Sequence, residues 1–212
     1  MYKKKLKRAL DLIFAIVALP FWIILLTVLG PIIYIQDRGS IFYTAPRLGT
    51  DGKIFKMYKF RSMKMNAPDI RNEDGSTYSA ENDVRLTKIG KFIRKTSLDE
   101  TPQILNVITG DMSIIGPRPD LPEHHKLYEG NEIRKLEVRP GITGYNQAYF
   151  RNTVPWKERI QNDIYYVDEL AFWLDVKIFF KTIESVVYKK GIFTGDEAVV
   201  ANDSRIGDES NV

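Results

Sequence analysis

The chain has 212 residues, 44% hydrophobic and 27% charged, the balance of a folded protein with one domain or one domain and a small annex. It has no cysteine and only two histidines, the adjacent His124 and His125, which excludes disulfide staples, thiolate catalysis and zinc-thiolate sites. The formal charge of +4 is unevenly spread: residues 1–64 carry 12 Lys/Arg against 3 Asp/Glu, and residues 65–212 carry 19 against 24, so the first third is the part expected to meet an anionic surface.

Lys3, Lys4, Lys5, Lys7 and Arg8 precede residues 12–35, a run of 24 residues without a charge. A secretory h-region is roughly 7–15 residues long and ends at a small-x-small site. This run is longer and no such site follows, so cleavage is not expected. As a straight helix it would be about 36 Å long against a hydrocarbon core of about 30 Å, enough to span. Two features favour a re-entrant hairpin instead. Pro20 interrupts the run and predicts a bend there. Both flanks are also basic, with Arg38, Arg47, Lys53, Lys56, Lys59, Arg61 and Lys64 following, and basic flanks stay cytoplasmic. Asp11 is expected at the mouth, near water or paired with Lys7 or Arg8.

Residues 41–43 and 54–57 flank Gly49-Thr50-Asp51-Gly52 and predict a small hairpin. Residues 66–82 read as an exposed loop. Leu86, Ile89, Phe92 and Ile93 recur at helical spacing, and residues 104–108 form the next predicted helix. Gly110, Gly116, Pro117, Pro119 and Pro122 break the chain into turns; residues 123–137 are charged and helix-permissive, with His124-His125 read as solvated. Residues 139–144 are a further rigid turn, followed by helices over 156–167 and 172–188. The last of these has a wide apolar face that suits either a core helix or one lying in a bilayer interface. The expected fold is α+β and mostly helical, with a re-entrant membrane segment (1–36), a compact cytoplasmic domain (37–190) and a polar tail (191–212).

Ser97-Leu98-Asp99-Glu100-Thr101-Pro102 is the most informative local stretch. Pro102 lacks a backbone N–H and belongs in a first helical turn, which places Asp99 and Glu100 at or just before a helix N-terminus, where negative charge is favoured. A carboxylate held ionised there can act as a nucleophile or hold a divalent cation. Ser97 with Glu100 also fits a plain capping box without any chemistry. Lys59 and Arg61, two apart, would share one face of a strand. Arg94 precedes the dyad, and Arg118 and Arg139 are each fixed beside prolines; guanidinium groups suit phosphate. Each could equally be a surface cation or structural ion pair. Asp163 and Asp175 are further carboxylates on the late helices. With no cysteine and one histidine pair, a bound metal would take oxygen ligands, which means Mg2+ or Mn2+. There is no Gly-rich phosphate loop.

Lys59-Phe60-Arg61-Ser62-Met63, the stretch from Arg94 to Gln103, Gly116-Pro117-Arg118-Pro119, Arg139-Pro140-Gly141-Ile142-Thr143-Gly144 and Phe172-Trp173-Leu174-Asp175 resemble, in this order, the bacterial sugar transferases. The resemblance covers about residues 3–190 and is to the small monotopic polyprenyl-phosphate phosphoglycosyl transferases, without the extra N-terminal transmembrane helices of longer relatives. It implies transfer of a sugar-1-phosphate from a UDP-sugar to undecaprenyl phosphate with release of UMP. Asp99 would attack the β-phosphorus to give a covalent phosphosugar intermediate, and Glu100 would help hold Mg2+. Lys59, Arg61, Arg94, Arg118, Arg139 and Asp163 become substrate-binding candidates, and Pro20 the membrane break, where Leu19 replaces the Ser or Lys of many relatives. The implied setting is the cytoplasmic face of a bacterial inner membrane. The partners are the bilayer and the two substrates, not nucleic acid, with a second copy of the chain left open. Similarity to the small relatives implies a UDP-activated N-acetylated amino or diamino sugar as the donor. The rival readings are a membrane-spanning glycosyltransferase that releases UDP and a non-enzymatic membrane scaffold.

Overall fold

The computed structural model describes residues 2–70, 78, 83–151 and 153–187. Most of the loop expected over 66–82 and the tail 191–212 lie outside the described residues.

A widened helical turn at Tyr2–Leu6 leads into α1 (Lys7–Asp37), which carries both Pro20 and Pro31 inside it. The interruption expected at Pro20 is therefore not seen as a break in the helix. One stripe of α1 is buried, with Asp11, Ala15, Trp22, Leu29 and Ile33 facing the rest of the protein at helical spacing. Ile13, Ile16, Val17, Phe21, Ile24 and Ile35 on its other faces are exposed. By length and composition α1 could cross a membrane, but both of its ends are fastened to the same body. At the first end Lys7 Nζ reaches Asp175 at 2.7 Å, and Arg8 donates to the carbonyls of Val107 (2.6 Å) and Ile108 (3.1 Å). Asp11 is buried and accepts from the Ser113 hydroxyl (2.8 Å) and the Ile114 N–H (3.0 Å). It is neither near water nor paired with Lys7 or Arg8, because those cations have their own partners. At the other end Arg61 donates to Ile33 O (3.2 Å) and Asp37 (2.7 Å).

β1 (Phe42–Leu48) and β2 (Ile54–Phe60) form the expected antiparallel hairpin, paired from Phe42 with Phe60 to Leu48 with Ile54. Its turn places Asp51 at φ 56° and Gly52 at φ 75°, conformations that Asp tolerates and Gly adopts freely. Trp22 stacks on Phe42, and Phe42 on Phe60 (5.6 Å between centroids), so α1 packs on this hairpin through aromatic rings. The next elements are α2 (Lys88–Lys95), capped by the Thr87 hydroxyl on the Gly90 N–H, and α3 (Gln103–Thr109). Asn106 of α3 is fully buried against β2: its Oδ1 accepts from the Tyr58 N–H (3.0 Å) and its Nδ2 donates to Lys56 O (2.8 Å). This amide completes the hydrogen bonding of the strand edge and fixes α3 in register with it.

β3 (Ser113–Ile115) and β4 (Gly141–Thr143) pair in parallel. Gly116 follows; a Cβ there would lie 2.4 Å from Arg139 O, so only glycine lets the 116–119 loop lie against residues 139–141. Residues 123–137 form two short 3₁₀ segments, Pro122–Leu127 and Glu132–Glu137, rather than one helix. His124, read as solvated, is buried and sits edge-on to Trp156 at 4.8 Å; only His125 is exposed. Asp120 and Trp156 enclose the His124 ring, which the adjacent charged residues did not suggest. The chain ends in α4 (Tyr145–Tyr149), α5 (Trp156–Asp168) and α6 (Phe172–Val187). Helix α6 has a core face and an exposed apolar face. Ile178 is fully buried, whereas Trp173, Phe180 and Ile183 are exposed; Phe179 meets Phe14 of α1 at 5.7 Å, so the exposed apolar faces of α1 and α6 adjoin.

Candidate active site

Asp99 and Glu100 lie in a 3₁₀ turn, Leu98–Glu100, between α2 and α3. Ser97 enters it in the left-handed conformation (φ 57°), and its side chain makes no capping bond. The capping box is therefore not formed. Glu100 turns instead toward two cations: Lys59 Nζ at 2.7 Å and Arg118 Nη2 at 3.2 Å, both on Oε1. The Asn106 clamp explains the first contact, because it holds β2, which carries Lys59, against α3, which begins just after the dyad. The turn made possible by Gly116 explains the second. Arg94, at the end of α2, lies close enough to lower the Asp99 pKa, and its Nη1 is buried without a hydrogen-bond partner.

The two carboxylates are driven apart electrostatically. Burial lifts Asp99 to about 6; Lys59 opposes the lift and the Glu100 charge adds to it. Burial also acts to raise Glu100, but Lys59 and Arg118 outweigh it and hold Glu100 at about 2. The expectation that the helix terminus would favour ionised Asp99 is thus overridden by desolvation. At neutral pH Asp99 remains mostly ionised at a cost from burial that Lys59, Arg94 and Arg118 offset only in part, while Glu100 is a fixed anion.

The other residues singled out from sequence divide. Lys59, Arg94 and Arg118 gather at the dyad. Arg61 follows β2 and points elsewhere: besides Asp37 and Ile33 O it holds Ser40 O at 2.5 Å, buried as an anchor of α1. Arg139 is exposed and donates to Gly110 O (2.9 Å), at the far end of α3 from the dyad. Asp163 is buried and pairs with Lys135 (3.0 Å), which also holds Asp120 (2.6 Å). Burial lifts Asp163 to about 6, and its Oδ1 has no hydrogen-bond partner. This buried Asp-Lys-Asp cluster lies beneath the loop that presents Arg118. Pro20 sits within α1, away from the dyad in sequence and packing. Sequence reasoning missed two residues. Asn106 is the register clamp, and an Asn inside an otherwise apolar helix was its only signal. Arg151 stands at φ 51° with Nε on the Ser185 hydroxyl (2.6 Å), in the field of Glu100; no pattern around it drew notice.

Among the described residues, no three or more His, Asp or Glu side chains gather as a ready-made ion site. Mg2+ does not need one: it keeps several waters and binds through one or two carboxylates plus substrate phosphates. Two adjacent carboxylates, one of them strongly ionised with both its cations on a single oxygen, fit that ion.

Residues 2–189 match the family model described as bacterial sugar transferase. The uncharacterised sugar transferase EpsL of Bacillus subtilis is 38% identical over 206 residues, covering 97% of this chain and 99% of that protein. The undecaprenyl-phosphate galactose phosphotransferase of Salmonella typhimurium is 39% identical over 169 residues, 74% of this chain and 36% of that protein. The UDP-N-acetylgalactosamine-undecaprenyl-phosphate N-acetylgalactosaminephosphotransferase of Aeromonas hydrophila is 34% identical over 192 residues, 86% of this chain and 44% of that protein. The chain thus spans nearly all of the first of these and less than half of the other two. With the match running from the N-terminal turn through the dyad to the end of α6, the chain belongs to the bacterial sugar transferase family.

Proposed function

We propose that the protein is a phosphoglycosyl transferase that moves a sugar-1-phosphate from a UDP-sugar to undecaprenyl phosphate and releases UMP. The observation that carries this reading is the buried Asp99 beside an ionised Glu100, where Lys59, Arg94 and Arg118 converge. Asp99 Oδ attacks the β-phosphorus; the bond from that phosphorus to the bridging oxygen breaks, and UMP leaves with the electron pair. An oxygen of the lipid phosphate then attacks the same phosphorus, and Asp99 departs as carboxylate. Each step develops charge on phosphoryl oxygens, which three cations offset in a partly dry site. Glu100 and Asp99 would hold Mg2+, which supplies further charge neutralisation at the diphosphate. The named activities of the relatives, on galactose and N-acetylgalactosamine, support a UDP-hexose donor.

The same reading makes the protein monotopic, on the cytoplasmic face. A helix crossing the bilayer separates its ends by the whole membrane, whereas Asp11 and Ile33 of α1 are both tied to one domain. The outer face of α1 and the exposed face of α6 then form the surface that lipid covers. The site lies where a soluble nucleotide sugar and a membrane-held acceptor can both reach it.

The experiment is incubation of the enzyme with UDP-galactose, UDP-N-acetylgalactosamine or a related UDP-sugar in the absence of lipid. UMP equal to the enzyme present, and a phosphosugar adduct mapping to Asp99 by mass spectrometry, are expected. UDP release would favour the glycosyltransferase reading. Turnover that survives in Asp99→Asn would remove Asp99 as nucleophile, and no turnover with any donor would favour the scaffold.

A further inference from the structure

Arg151 lies outside every motif by which the chain was recognised, yet its placement is strongly enforced. A positive φ on a residue with a Cβ is costly and persists where the surroundings over-determine it. Here Asn146, itself buried, does so: its carbonyl accepts from the Arg151 N–H (2.8 Å), and its Nδ2 donates to Arg151 O (3.1 Å). Asn162 in turn donates to Asn146 Oδ1 (3.0 Å), locking the clamp to α5. The side chain is as constrained as the backbone, with Nε on the Ser185 hydroxyl of α6. The two Nη nitrogens are then the edge that can meet two phosphate oxygens.

Its surroundings select the phosphate. Ser185 lies one turn beyond Thr182, whose hydroxyl meets that of Thr143 at 2.8 Å. The Thr143 carbonyl accepts from the Gly116 N–H (2.8 Å), and Arg118, two residues on, holds Glu100. Arg151, fastened to α6, feels the charge of Glu100. Lys59 and Arg118 reach it from the hairpin and the 116–119 loop. On α6 Ser185 shares the side of the buried Ile178, while Phe180 and Ile183, on the opposite side, are exposed and adjoin the apolar face of α1. Arg151 is thus fastened to the inner side of a helix whose outer side is apolar.

We propose that Arg151 binds the phosphate monoester of the polyprenyl acceptor, held against Ser185 on the lipid-facing helix and aimed at the dyad. The assignment rests on the double-displacement reading above and adds which cation serves the second substrate. Asn146 and Ser185 are positioning residues for it.

Arg151→Gly tests this, because glycine adopts the positive φ without strain while the whole side chain is removed, so the backbone clamp to Asn146 is kept. With UDP-sugar alone, UMP release and adduct should match wild type. In full turnover with undecaprenyl phosphate in mixed micelles, the KM for the lipid should rise roughly ten- to hundred-fold, the loss expected for one charged hydrogen-bonding contact. Arg151→Lys should recover part of it. An equal loss of lipid-free UMP release would assign Arg151 to the donor and overturn the proposal, as would an unchanged lipid KM. If wild type itself formed no adduct, the covalent reading would fall, and the lipid KM of Arg151→Gly would still judge the proposal.

Discussion

Asp99→Asn should abolish turnover and stabilise the fold, with a pH signature that separates the two effects. The ordinary Asp value is 3.8, and burial lifts Asp99 to about 6. At about 1.4 kcal/mol per pKa unit, ionised Asp99 costs the folded state about 3 kcal/mol. Because the folded value lies above the unfolded one, the group favours folding while protonated, and that contribution is lost as pH rises from about 4 through 6. Asparagine has no such dependence. The variant should therefore match wild type near pH 4, gain progressively to pH 6, and hold the full advantage above pH 7. For a chain of this size about 3 kcal/mol corresponds to about 6–12 °C in Tm. Thermal unfolding in detergent at pH 4.5 and 7.5 measures it. A difference between the two proteins that is the same at both pH values, or an Asn variant less stable at pH 7.5, would refute the argument that desolvated charge at position 99 is held at the expense of stability.

Lys59→Met should lower kcat/KM for the UDP-sugar roughly ten- to hundred-fold at pH 7 and move its acid limb above pH 6, since Lys59 is the main cation holding both carboxylates down; initial rates from pH 5 to 8 show both. Arg118→Ala should slow turnover with Tm unchanged, whereas Arg61→Ala should lower Tm, because the first meets Glu100 and the second ties α1 to the hairpin. Asn106→Leu leaves the Tyr58 N–H and the Lys56 carbonyl unpaired in the interior, at about 1–3 kcal/mol each, and should appear as a large loss in urea or thermal unfolding.

What could be read from sequence was what periodicity and turn chemistry encode locally. The hairpin around Gly49–Gly52 and the helices before and after the dyad are of this kind. Asp99-Glu100 stood out as adjacent acids at a helix start before Pro102, although plain capping explained that pattern as well; the resemblance to the sugar transferases gave the pair its role. What could not be read depends on distant partners. Arg61 and Lys59 are two residues apart, but the strand ends at Phe60, so their side chains part company: one holds Asp37 and the other Glu100. His124 is buried because Trp156, 32 residues later, folds over it. Asp11 looked like a residue at the water's edge until Ser113, 102 positions away, gave it a buried partner.

The ties at the first end of α1 also set an order of events during synthesis. Lys7 waits for Asp175, 168 residues further along the chain, and Asp11 and Arg8 wait for partners about 100 residues on. At roughly 5–20 residues per second, the interval between making Lys7 and making Asp175 is on the order of 8–30 s. Until the hairpin is made nothing of its own chain covers the apolar stripe of this helix, and the first end stays unfastened to α6 until Asp175 emerges. On the monotopic reading proposed above, its outer surface meets lipid before the catalytic domain is complete. On that reading the domain is assembled onto a helix that lipid has already received.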